Sequence, residues 1–220
     1  MNNNKNIETD LIESIASSDL KMIGSDIGEI AIDSLLNDGV LKDIPVIGTI
    51  VNLYSTGVTI SGKIFEKKIL KFLYGLDEIS LDKRADFISK LNQKPKFKKK
   101  VSEHLLILID RIDDMDKSEI LAQLFSKFIL GKVDYEMFIR LSSVIDKSVV
   151  SDLNKLTDFN TLQSSSFTAT SLENLGLVYT AVTSGGQTNQ NLELINGNKY
   201  FISELGKLLL STIEIKEKND

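Results

Sequence analysis

The chain has 220 residues, 42% hydrophobic and 26% charged, with a formal net charge of −5, two prolines and no cysteine. That length and apolar fraction suffice for one sizeable domain or two small ones. The missing cysteines exclude disulfides and thiolate metal sites, and the scarce prolines favour long helices over a proline-punctuated all-β chain. Residues 1–62 carry 3 basic and 9 acidic groups, whereas residues 63–100 carry 12 and 5, so an acidic block is followed by a basic one.

Residues 1–6, asparagine-rich and polar, read as a disordered tail. This start lacks the basic and apolar regions of a secretory signal, which predicts a cytoplasmic protein, with the inner face of the membrane as an alternative location. From Ile7 to Leu36 apolar residues recur at helical spacing: Ile7, Leu11, Ile12, Ile15, then Ile23, Ile27, Ile30. Two helices are predicted there, with a break near Ser17-Ser18-Asp19, and Gly24 and Gly28 lie four apart on the second. Asn37 to Gly39 should break the chain before Pro45 opens a new helix, where its missing N–H costs nothing.

The stretch 44–62, IPVIGTIVNLYSTGVTISG, has nineteen residues without a charge. A spanning helix needs roughly 20 predominantly apolar residues, and this one carries Asn52, Tyr54 and several hydroxyl side chains. Two readings stay open. The preferred one is a helix buried in a soluble core. The other is insertion into a bilayer, with Gly48, Gly57 and Gly62 allowing close helix packing.

Next comes an amphipathic helix whose apolar face is Phe65, Ile69, Phe72, Leu73 and Leu76. Lys63, Lys67, Lys68 and Lys71 form a basic stripe suited to anionic lipid in the membrane reading. SLDKRADFISKL should be a short helix after a turn near Asp77. QKPKFKKK reads as a basic linker. Its Lys94, Lys96, Lys98, Lys99 and Lys100 are candidates for contact with lipid headgroups or other phosphates. VSEHLLILIDRI is predicted to be a helix central to the core. MDKSEILAQLFSKFILG follows, with Asp116 and Glu119 at capping-box spacing and Gly131 as the stop. Asp134 should cap the helix after it. TDFNTLQSSSF reads as a loop, and the remainder as helix, strand, turn, strand, helix, with Ser203 a cap.

No catalytic constellation stands out. Asp110, Asp113, Asp114, Asp116 and Glu119 lack the spacing and glycine of a calcium loop. His104 is the lone histidine, with no second ligand or base at workable spacing. The glycines of SGGQTNQN lie between strands, where a hairpin turn explains them. The expectation is a protein with no enzymatic role, no cofactor, no metal and no evident small-molecule substrate.

Leu175-Gly176-Leu177 within LENLGLV (172–178), and the run Tyr200 to Gly206 within KYFISELGKLLLS (199–211), resemble the helix-to-wing turn and the last helix of winged-helix domains. The fold class expected is therefore mainly α: a helical bundle over 7–156 and a winged-helix-like module with a small β-hairpin over 157–216, packed on it. DNA binding ranks low, because residues 151–220 are net −3 and the wing segment has no positive charge. The run DIPVIGTIVNLYSTGVTISGKIFEKKILKFL, with the later LILIDRIDDMDKSEILAQLF, resembles a group of bacterial all-helical proteins with a short winged-helix-like tail, and LENLGLV and ISELGKLL in that tail resemble the alpha-type abortive-infection proteins of bacterial anti-phage defence. That resemblance implies a bacterial role in phage–host conflict, exerted through a protein partner or self-association. A membrane-directed effector is the alternative, and a winged-helix DNA-binding regulator the third reading.

Overall fold

The computed structural model describes residues 6–17, 40–54, 60–160, 167–181 and 199–214. Over these the chain is mainly helical, with a small two-stranded antiparallel sheet near the C-terminus. In order come α1 (Ile7–Ser17), a 3-10 turn (Val40–Asp43), α2 (Pro45–Tyr54), α3 (Ile60–Tyr74), α4 (Leu81–Asn92), α5 (Pro95–Arg111), α6 (Met115–Ile129), α7 (Tyr135–Lys147), α8 (Val150–Asn154), a second 3-10 turn (Leu156–Asn160), α9 (Phe167–Asn174), β1 (Val178–Ala181), β2 (Lys199–Ile202) and α10 (Glu204–Thr212). The chain divides into two compact units, residues 1–142 and 143–220, at a boundary inside α7.

In the first unit α6 is the central helix. Every residue from Ile120 to Ser126 is buried, a pattern expected of a helix surrounded by others rather than lying on a surface. It packs against α3 and α4. Phe125 and Phe128 anchor an aromatic cluster with Phe72 of α3, Phe87 of α4 and Phe138 of α7, with ring centroids 5.2 to 5.9 Å apart. The stretch 101–112, expected to be a helix central to the core, contributes one face to it. Val101, Leu105, Leu108 and Ile109 face inward, while Ile107 is 53% exposed.

Several polar contacts fix the helices relative to one another. Ser14 Oγ donates to the Asp10 carbonyl at 2.7 Å and accepts from the Val46 N–H at 3.0 Å, so α1 caps the start of α2 from 32 residues away. The Thr49 hydroxyl donates to the Asp10 carboxylate. Buried Arg84 donates to the Ile15 carbonyl at 2.9 Å and to the Ile79 carbonyl at 3.2 Å. That places a positive charge at the negative end of α1.

Pro45 opens α2, and Val46, Ile47, Thr49 and Ile50 are buried. Of the uncharged stretch, residues 45–54 form α2 and residues 60–62 open α3, while 55–59 lie outside the described residues; among the described residues no helix is long and apolar enough to cross a membrane. Gly131 ends the α6 segment at φ 67°, with the Lys132 N–H bonded to the Lys127 carbonyl and the Gly131 N–H to that of Phe128. Asp134 caps α7 through the Met137 N–H at 2.8 Å. The cap of α6 is Asp114, which accepts from the Asp116 N–H, and not Asp116, whose carboxylate turns to Lys71.

In the second unit α9 ends on Gly176 at φ 73°, where the Leu177 N–H bonds to the Leu172 carbonyl and both leucines are buried. β1 and β2 pair antiparallel with Val178 opposite Ile202 and Tyr179 opposite Phe201. Ser203 caps α10 through the Gly206 N–H at 3.0 Å and donates to the Gly176 carbonyl at 2.6 Å. Among the described residues the order is helix, strand, strand, helix, as expected for this segment. Residues 157–160, expected as loop, form part of the second 3-10 turn, with Phe159 buried.

Candidate interaction surface

The segment QKPKFKKK is not a linker. Pro95 occupies the first turn of α5, and the five lysines surround the start of a 17-residue helix. Proline tolerates that position because its N–H has no partner to lose there. Lysine does not suit it. The first turn carries the positive end of the helix dipole, and cations belong at the other end. Lys94, the residue preceding the helix, makes no side-chain cap. Its carbonyl accepts the Lys98 N–H at 2.9 Å.

Lys94, Lys96, Lys99 and Lys100 are exposed and Lys98 is half-buried. Helical spacing puts Lys96, Lys99 and Lys100 on one face. Lys99 lies 3.4 Å from Glu103 in an exposed pair worth little. The Lys100 ammonium sits 5.1 Å above the Tyr135 ring, which Phe97 meets edge-on at 5.0 Å. This aromatic contact holds the basic end of α5 against α7.

Lys98 and Lys99 also line a notch of about 330 Å³ with Pro95, Ser102, Asn92 of α4 and Asn6, Glu8 and Thr9 at the start of α1. Asn6 caps α1 by accepting the Glu8 N–H at 3.0 Å.

The other basic stripe is differently used. Lys68 is buried and donates to the Asp110 carbonyl at 2.7 Å. Lys71 pairs with Asp116 at 2.7 Å. These two lysines bind the ends of α5 and α6 to α3. Lys63 is exposed and Lys67 half-buried. Of the glycines proposed for close packing, a Cβ on Gly48 would come within 2.7 Å of the Lys42 carbonyl, so Gly48 serves a local contact with the 3-10 turn. Gly62 is buried in α3, and Gly57 lies outside the described residues, as do Gly24, Gly28, the Asn37–Gly39 break and the SGGQTNQN turn.

Three carboxylates of the acidic cluster are engaged within the chain. Asp114 caps α6, Asp116 meets Lys71, and Asp113 meets buried Lys117, whose ammonium holds the Asp113 carboxyl below its usual range. Among the described residues no group of side chains is placed to hold a metal ion. His104 points its ring edge-on to Phe138 at 6.2 Å. Burial, and after it Lys100, push its imidazole below the usual value.

Sequence reasoning missed Arg84, which gives no local signal in LDKRADF, and Glu173, whose carboxylate accepts the Thr180 N–H at 3.0 Å and its hydroxyl at 2.6 Å. Comparison with family models, curated proteins and solved structures finds no match to this chain.

Proposed function

We propose that the chain is a non-enzymatic bacterial protein of phage–host conflict, in anti-phage defence or its regulation, that acts through protein–protein contact. The abortive-infection resemblance supplies the biological setting. The observation that carries the mode of action is the crowding of Lys94, Lys96, Lys98, Lys99 and Lys100 at the wrong end of the α5 dipole. Lys94 and Lys96, at and just inside the helix start, each oppose the dipole by about 0.3–1 kcal/mol, less where solvent screens them, and the effect fades beyond the first turn. Acids would suit this end of the helix better, so the lysines are read as a contact surface.

The test is Lys96→Glu. It should raise the unfolding midpoint slightly in thermal melts, on the order of a few tenths of a kcal/mol. It should also weaken salt-sensitive binding to poly-glutamate. A variant that loses stability, or binds unchanged, counts against this reading.

The membrane-directed alternative draws on Leu53, which is 60% exposed on α2 in the uncharged stretch. It requires Val46, Ile47 and Ile50 to leave the core. Flotation with phosphatidylglycerol vesicles tests it. The proposed reading expects the protein to stay at the bottom of the gradient.

A further inference from the structure

We infer that the notch beside the basic end of α5 seats a short, extended acidic segment of a protein partner. This rests on the reading of the α5 lysines as a contact surface and names what they contact. Three observations favour that occupant.

The first is shape. The notch is concave and about 330 Å³, the low end of ligand-sized clefts of roughly 300–1,000 Å³. A bilayer is a plane and meets convex surface. A folded domain would not enter a recess of this size, whereas a few residues of peptide would.

The second is the arrangement of polar groups. Lys98 and Lys99 stand on one wall, and Asn6, Thr9 and Asn92 on the others. Lysines suit carboxylate side chains, and the amides and hydroxyl suit a peptide backbone. Glu8 also lines the notch. It opposes a compact, multiply charged anion such as phosphate, but tolerates a chain whose acidic groups lie along the lysine wall.

The third is the extent of the charge. Residues 1–142 carry 20 basic and 22 acidic groups. A long duplex or an anionic sheet of lipid would meet the acidic surroundings as well as the patch. A short segment meets only the patch, since charges beyond about 8 Å are screened at physiological salt. All five cations are lysine, without the arginine fork that reads phosphate in two-pronged fashion.

The experiment uses the full chain and a fluorescein-labelled dodecapeptide of alternating Glu and Ser, followed by anisotropy. The same peptide with Gln for Glu, phosphatidylglycerol vesicles and a short DNA duplex serve as competitors. The acidic peptide should bind, weaken as salt is raised, and lose about tenfold or more in affinity with K98E/K99E. Asn92→Trp, an exposed substitution that fills the notch without changing charge, should cause a similar loss, while Lys63→Glu should not. Binding lost in K98E/K99E but kept in Asn92→Trp overturns the notch and leaves the lysine surface standing. Vesicles or duplex displacing the peptide at lower concentration overturn the peptide partner and the protein-contact reading together. An acidic peptide that binds no better than its Gln control does the same. Circular dichroism of each variant confirms that a loss is not unfolding.

Discussion

Replacing Arg84 by Met would remove a buried guanidinium from the carbonyls of Ile15 and Ile79 while keeping much of its bulk. Buried acceptors deprived of a charged donor cost about 1–3 kcal/mol, and urea denaturation should show a loss of that order. Two other groups, buried Glu66 and half-buried His104, act through pH, with opposite signs. Glu66 is buried with Oε1 unpartnered among the described residues. Burial raises its pKa above the ordinary 4.5, against the pull of Lys63 and Lys42. The folded state therefore holds the proton more tightly than the unfolded chain, and stability falls as pH rises from about 4.5 through the folded value. Glu66→Gln should raise the melting temperature at pH 7 and change it little at pH 4. His104 has a folded pKa below the ordinary 6.5. Here the unfolded chain binds the proton more tightly, so stability falls as pH drops from about 6.5 through the folded value. His104→Leu should flatten that acid limb in thermal melts taken across the same range.

At the scale of elements, two glycines set how closely segments approach. A Cβ on Gly75, where α3 ends, would stand 2.6 Å from the Ala122 Cβ of α6. One on Gly206 of α10 would run into the backbone oxygen of Leu177. Overpacking of this kind costs about 1–3 kcal/mol. Gly206→Ala should be the worse of the two, because a backbone oxygen held by the Ser203 N–H cannot step aside. Chemical denaturation of both variants decides the order. What was legible in the sequence follows the same division between local and distant causes. Asp134, Ser203 and Gly131 were readable because a cap or a left-handed stop is made by neighbours within a few residues. Asp116 fits a cap by its spacing from Glu119, but its carboxylate meets Lys71, 45 residues away, and Asp114 takes the cap. The basic run was readable as charge but not as helix, since lysines at a helix start break the usual electrostatic rule. The centrality of α6 over α5 was not readable at all. Ile107 is as apolar as its neighbours in sequence, and only the packing shows which helix is enclosed.

For the molecule as a whole, the two compact units divide the proposed labour. The lysine surface, its notch and the aromatic contact that steadies them all belong to residues 1–142. In the second unit Glu173 occupies the Thr180 N–H of β1, so that this group is already satisfied and gives an added strand no donor. Strand addition at that position of β1 would lack this donor. The enclosed position of α6 has one more consequence, in the order in which the protein comes apart. Amide hydrogens from Ile120 to Ser126 are shielded on every side of their helix. They should exchange with deuterium only when the whole first unit opens, and so report its global stability. The start of α5, uncapped and crowded with like charge, should fray and exchange early. A ligand that settles on that end would slow its exchange and leave α6 unchanged, separating occupancy from stabilisation within a single deuterium-uptake map.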